Sequence, residues 1–305
     1  EHGSLSPKEY WDFHFEEPAK PASNEDMKAE LRFLFEQAVS RQLVSDVDVS
    51  CYLAGGMDSG SITAVAAKML PRMRTFTCGF DLTSASGAEL NFDERQLAER
   101  MSYLFGTEQY EVVLKSGDME RAIPDLVYHL DEPRVGQSYP NYYVAGLASK
   151  FGKVVLGGTG GDELFGGYPW RYYKAVGARN MDEFCNSYYD FWQRLINQDQ
   201  MSKVFAPVWD EVKHVDTYEI FRSILDKHPV DFKDPTAGLN LALYFESKTF
   251  LHGLLTIEDK LSMAHGMESR VPFLDNDLVD FAMNIPASAK VRDLHKVSEM
   301  NRKNL

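Results

Sequence analysis

Hydrophobic positions along this chain fall into two patterns. Short apolar runs closed by glycine or polar residues occur at Val47–Leu53, Met73–Phe80, Glu108–Leu114 and Lys153–Leu156. Runs of that length with β-branched and aromatic residues predict buried strands. Between them the apolar residues return with helical spacing. Residues 25–42 place Leu31, Leu34, Phe35, Ala38 and Val39 on one face, and further helices are predicted from Asp58 to Leu70, Phe92 to Phe105, Ser116 to Leu130 and Tyr139 to Lys150. Pro124 is a candidate kink in the fourth of these. Strands alternating with helices at this spacing predict an α/β fold, a parallel sheet covered by helices on both faces. The turns after Leu53, Thr77 and Leu156 all leave the carboxyl ends of predicted strands, where such sheets bind ligands.

Beyond about Tyr168 the strand pattern gives way to a mainly helical, aromatic stretch with Tyr172, Tyr173, Phe184, Tyr188, Tyr189, Phe191 and Trp192. Aromatic residues at helical spacing are more often packing core than a cofactor box. Residues 1–24, rich in proline, aromatics and charge without a period, read as a linker or strap. One domain then follows over 25–305, with its α/β core at about 25–168 and a helical remainder at about 169–305.

Composition narrows the function classes. Against 32 basic residues stand 46 acidic ones, a formal charge of −14, which argues against nucleic acid as a partner. A small polyanion is still compatible, because local N–H groups and a divalent cation act at shorter range than the net charge. No apolar run is long enough to span a bilayer, and the first residues lack the character of a signal peptide. Three cysteines, Cys51, Cys78 and Cys185, have neither the even number nor the Cys-x-x-Cys spacing of a disulfide or metal framework. A reducing, cytoplasmic setting is expected.

Three segments carry candidate chemistry. In the first, Leu53-Ala54-Gly55-Gly56-Met57-Asp58-Ser59-Gly60 joins a strand to a helix start. Successive N–H groups in such a turn, with the helix N-terminus behind them, suit a phosphate. The spacing matches neither a Walker loop nor Gly-x-Gly-x-x-Gly. The second is Gly157-Gly158-Thr159-Gly160-Gly161-Asp162-Glu163, whose four glycines in five positions permit close backbone approach and whose acidic pair suits magnesium. The bland alternative is a helix start with two acids that favour the macrodipole. The third, Thr256 to Asp275, contains Asp259 and Arg270 and taken alone reads as a solvated helix followed by a turn at Pro272.

The first loop resembles the Ser-Gly-Gly-x-Asp-Ser loop of PP-loop ATP pyrophosphatases. Together with Thr75–Phe80, His129-Leu130-Asp131-Glu132-Pro133, Gly161–Tyr168 and Glu268–Asp275, in that order over roughly residues 25–290, it is similar to the synthetase domain of glutamine-dependent asparagine synthetases and the related β-lactam synthetases. The resemblance implies a PP-loop fold, ATP and Mg2+ as cofactors, and aspartate with ammonia or glutamine as substrates. The aspartate side chain would be adenylated with loss of pyrophosphate, and ammonia would then displace AMP. By motif position Gly55, Gly56 and Ser59 would hold pyrophosphate, and Leu53, Ala54, Cys78, Gly157 and Gly158 would line the nucleotide site. Asp58 and Asp162 would bind the metal, and Glu163, Asp259 and Arg270 would shape the substrate side. A homodimer is open.

The sequence departs from that family in places. Ala54 and Gly60 replace serines, and Thr159 stands where asparagine synthetases carry a catalytic glutamate and β-lactam synthetases a tyrosine. Threonine donates a hydrogen bond but is no general base near neutral pH. Arg134–Ser138 lacks the acidic residue that often follows Asp-Glu-Pro, and neither Lys296 nor Lys303 sits in the family's Lys-x-x-Leu-Arg context. No Cys-initiated glutaminase half is present, so the expected status is a fragment of a longer amidotransferase. Two other readings stay open: a PP-loop ligase for a different carboxylate, and a nucleotide-binding module without chemistry.

Overall fold

The computed structural model describes residues 6–84, 92–132, 138–193, 195–294, 296 and 299. In chain order the elements begin with α1 (Asn24–Gln42), β1 (Val49–Tyr52), α2 (Met57–Met69), β2 (Arg74–Phe80), α3 (Arg95–Phe105), β3 (Glu108–Leu114), α4 (Asp118–Leu130), α5 (Ser138–Ala148), β4 (Val154–Leu156) and α6 (Gly161–Phe165). They continue with α7 (Pro169–Tyr172), α8 (Met181–Trp192), α9 (Met201–Val204), α10 (Trp209–Val212), α11 (Thr217–Leu225), α12 (Ala237–Lys248), α13 (Phe250–Met263), β5 (Glu268–Arg270), α14 (Asn276–Met283) and α15 (Ala287–Lys290). The chain divides into two compact units. One comprises residues 22–162 and 250–281, the other 1–21, 163–249 and 282–305.

The first unit holds a parallel sheet of five strands in the order β3-β2-β1-β4-β5. Cys51 of β1 pairs with Thr75 of β2 on one side and Leu156 of β4 on the other, so strand order reverses between β1 and β4. A crevice at their carboxyl ends follows from that reversal. The central strands are apolar on both faces, as a covered parallel sheet requires. Val49, Ser50, Cys51, Val154, Val155 and Leu156 are all buried, whereas β3 at the edge buries only Leu114. One face packs Phe76, Val155 and Tyr110 against Val144, Ala145 and Ala148 of α5, with α13 behind it through Ile257 and Leu261. On the other face α2 and α3 contact β1 and β2. Capping fixes the helix ends: Ser23 accepts from the Asp26 N–H at the start of α1, and Gly106, at φ 69, closes α3 in the left-handed region that glycine tolerates. Pro124 lies within α4.

The α/β fold follows the sequence pattern, with one addition. Residues 268–270 return to the sheet as β5, although the chain from Tyr168 onward reads as strandless. Three residues with no fully buried member carry no period for a pattern to detect.

The second unit is helical. Tyr172, Phe184 and Tyr188 are fully buried, and Phe221 and Phe245 pack with centroids 4.6 Å apart. Glu246 of α12 is completely buried and accepts hydrogen bonds from the Tyr188 hydroxyl (2.6 Å) and the Arg171 guanidinium (3.2 Å). Burial pushes its carboxyl up to about 7 despite both donors. The strap is bound here: Asp12 accepts from Tyr244 and pairs with Lys248 at 2.7 Å, and Glu17 accepts from the Ala287 N–H. Phe15, 5% exposed, lies 4.7 Å beneath the Lys290 ammonium.

Lys290 Nζ is buried without a hydrogen-bond partner among the described residues, and burial lowers it to about 7 from an ordinary 10.5, with Glu17 pulling the other way. A lysine depressed in this way destabilises the fold fully below its folded value, and the cost fades as pH rises toward its unfolded value. Lys290→Met is therefore expected to raise stability by on the order of 1–3 kcal/mol at pH 7 and by little near pH 10.5. Thermal melts of both proteins across that range check the sign and the window.

Candidate active site

Two loops leave neighbouring strand ends. The first, Leu53 to Gly56, is tied to β2 by the Leu53 N–H to Phe76 carbonyl bond (2.9 Å) and by Thr77 Oγ1, which donates to the Leu53 carbonyl (2.7 Å). Its Ala54 N–H donates to Ser59 Oγ (3.0 Å) and its Gly55 N–H to Glu94 Oε2 (3.2 Å). Gly56 is the N-cap of α2 and gives it no side-chain cap. The first turn of a 13-residue helix thus begins at the loop with no side-chain cap from residue 56, and a helix N-terminus favours an anion.

The second loop starts where β4 ends. The Gly157 N–H donates to the Arg270 carbonyl (2.8 Å), which makes β5 the outer support of the loop. Gly158 lies against the first loop, since a Cβ there would come within 3.1 Å of the Ser59 nitrogen and 3.2 Å of Asp58 Cβ. A Cβ on Gly161 would collide with the Asp58 carboxylate. Glycine is needed at both positions for the loops to meet. Asp58 therefore faces Gly161, the residue immediately before Asp162. No group of three or more metal-binding side chains occurs among the described residues. Mg2+ bound by one or two carboxylates plus phosphate oxygens is compatible with that set.

Leu53, Ala54, Cys78, Gly157, Gly158 and Thr159 line one cavity of about 220 Å³, joined there by Thr77, Asn141, Glu94 and Glu258. Burial pushes the Cys78 thiol up to about 12, so it is a neutral wall rather than a nucleophile. Gly55, Gly56, Asp58 and Ser59 continue the same loop into α2. The remaining candidates are placed elsewhere. The Arg270 guanidinium donates to the carbonyls of Gln42 (2.7 Å) and Val44 (2.9 Å) and pairs with Glu268, bracing β5 against the end of α1. Asp259 is exposed on α13. Glu163 is 1% exposed and accepts from the Tyr168 hydroxyl at 2.8 Å. Pro133, Arg134–Gln137 and Lys303 lie outside the described residues.

The residue that sequence reasoning missed is Glu258, one position from Asp259. It accepts hydrogen bonds from the Thr159 hydroxyl and from Ser269 Oγ (2.5 Å), and a Cβ on Gly157 would collide with its carboxylate. Burial raises its carboxyl above the usual range, and the two hydroxyls lower it by less. A half-buried carboxylate with a raised pKa lining a cavity is a candidate acid–base group. Its signal in the sequence is helical phase: Glu258 is four residues after Leu254 and three before Leu261, on the apolar side of α13, while Asp259 is rotated about 100° away. Thr159 thus brings no carboxylate of its own but binds one that arrives from another helix.

The family model for asparagine synthase matches residues 30–304. Glutamine-hydrolyzing asparagine synthetase 3 of Bacillus subtilis is 30% identical over 93% of this chain and 46% of its own length. A glutamine-hydrolyzing asparagine synthetase of Triphysaria versicolor is 28% identical over 86% of the chain and 35% of its own length. The amidase chyE of Penicillium rubens is 25% identical over 94% and 50%. The chain spans about a third to a half of the length of these curated relatives.

If Gly157 keeps room for Glu258, Gly157→Ala is expected to cost about 1–3 kcal/mol by overpacking. Glu258→Ala in the same protein should recover part of that loss. Urea denaturation of the two single variants and the double variant measures the coupling, and strict additivity would show that the two groups do not meet.

Proposed function

Since the chain belongs to the asparagine synthase family, we propose that it uses ATP to activate a carboxylic acid as an acyl adenylate and transfers the acyl group to an amine, with aspartate and ammonia as the first candidates. The observation that carries this reading is the meeting of the α2 N-terminus with the glycine loop, where Gly161 lies against Asp58 and Gly157 against Glu258.

A substrate carboxylate oxygen attacks the α-phosphorus, the bond from that phosphorus to the bridging oxygen breaks, and pyrophosphate leaves with the electron pair. The first-turn N–H groups at Gly56, Met57, Asp58 and Ser59 would take the charge that develops on pyrophosphate, a stabilisation that needs no reorganisation because the helix fixes them. Asp58 and Asp162 would hold Mg2+, which would supply positive charge to offset that of the phosphates. Leu53, Cys78, Gly157 and Gly158 would enclose the nucleoside through backbone and apolar surface. Ammonia then attacks the acyl carbon, its C–N bond forms, and AMP leaves. The attacking nitrogen must lose a proton, and Glu258, with its raised proton affinity and its hydrogen bond from Thr159, is the group placed to accept it. Ammonia would come from glutamine through a glutaminase domain outside this sequence, or from solution.

Thr159 favours a second reading, a ligase of the same mechanism for another carboxylate. A hydroxyl held by Glu258 leaves more space and less charge facing the acyl group than a glutamate at position 159 would.

Isotope exchange between pyrophosphate and ATP separates the readings. Exchange that depends on aspartate supports the first, exchange with another carboxylic acid the second, and none with any acid would sink both. Asp58→Ala is expected to weaken magnesium–ATP binding at least about tenfold by calorimetry, the loss of one carboxylate–metal contact. Glu258→Gln is expected to slow amide formation by about 10²–10⁴-fold while leaving pyrophosphate exchange within a few-fold, because the amide keeps the size but cannot take a proton. Equal loss of both steps would give Glu258 a structural role instead.

A further inference from the structure

Glu94 stands where α3 begins, and its carboxylate does not cap that helix. It reaches the first loop instead and accepts the Gly55 N–H at 3.2 Å, one of the backbone donors of the pyrophosphate cradle. The loop has other contacts besides this bond. Ala54 is already held by Ser59 Oγ, and Gly55 is wedged on α3, where a Cβ would come within 2.7 Å of Leu97 Cβ. Nor is the charge neutralised by the neighbouring arginine, because Arg95 donates to Asp93 (2.6 and 2.9 Å) and to the Phe80 carbonyl (2.8 Å). A carboxylate bonded to a backbone N–H is a charge-assisted contact, and it occupies that donor as a phosphate oxygen would.

We propose that Glu94 is a resident anion of the first loop. Its carboxylate holds the Gly55 N–H while the loop is empty and gives that donor up when phosphate oxygens arrive, so it sets the affinity of the loop for polyphosphate. The proposal rests on reading the loop as a pyrophosphate cradle. Charge explains why the competition is unequal: one carboxylate offers a single negative charge to one N–H, whereas magnesium pyrophosphate engages several donors at once. It also gives the half-buried Glu94 side chain, which lines the nucleotide cavity, a role other than loop support.

The test is calorimetric titration of magnesium pyrophosphate into the wild-type protein and into Glu94→Ala, Glu94→Gln and Glu99→Gln, with thermal melts of each. Glu99 sits on the same helix and makes the same charge change without touching the loop. Glu94→Ala is expected to bind pyrophosphate about 5–20-fold more tightly, since both the competitor and its repulsion are removed. Glu94→Gln should tighten binding by less, because its amide oxygen can still accept the N–H, and Glu99→Gln should stay within about twofold. Unchanged or weaker binding in both Glu94 variants overturns the proposal and leaves the cradle reading intact, with Glu94 as a brace. Equal tightening by Glu99→Gln also overturns it, in favour of bulk charge. No binding by any of the four at millimolar pyrophosphate overturns both the proposal and the cradle.

Discussion

Two backbone loops that approach more closely than side chains permit are the constraint on which the rest of the site depends. Gly158 and Gly161 let the segment after β4 lie on the N-terminus of α2, and Gly157 leaves room for the Glu258 carboxylate. A methyl group at Gly157 or Gly161 would meet the Glu258 or Asp58 carboxylate, and one at Gly158 would press on the start of α2. The sheet creates the opportunity, because β1 and β4 are neighbours whose following loops leave on the same side. The glycines then allow the approach, and the gap between the loops collects Asp58 from one side and Glu258 from the other.

Electrostatics at the site runs against the composition of the chain. A protein with a formal charge of −14 offers a polyanion a repulsive far field, and the cavity itself holds Glu94 and Glu258. Favourable interaction with a polyanion would therefore have to come at contact distance, as oriented N–H groups or a shared cation supply it. Screening supports the same division, since charges farther apart than about 8–10 Å count for little at ordinary ionic strength. Glu258 has its proton affinity raised by burial, whereas Asp58 lies in the first turn of α2.

Thr159 and Glu258 meet by a hydrogen bond at the wall of the cavity. The hydroxyl at position 159 holds the carboxylate of α13, and Ser269 on β5 holds its other oxygen. The short strand β5 thus has two functions. It supports the Gly157 N–H through the Arg270 carbonyl and places Ser269 under the acid. Arg270, whose charge suggests a substrate ligand, satisfies the otherwise unpaired carbonyls at the end of α1 and keeps β5 in position.

The strands β1 to β4, the helices that flank them and the first two loops were legible in the sequence, because apolar runs, helical periods and glycine clusters are local signals with fixed spacing. Proximity in sequence also sufficed to nominate Asp58, Gly157 and Gly158. The tertiary structure alone decided that residues 268–270 join the sheet, that Glu258 rather than Asp259 enters the cavity, and that Glu94 reaches across from α3 to Gly55. Each of those depends on pairing between segments about 40 to 110 residues apart, Gly55 with Glu94, Thr159 with Glu258 and Leu156 with Arg270. Pattern along a chain encodes which face of an element is apolar, but the partner that meets that face is set by packing, and packing is not periodic in sequence.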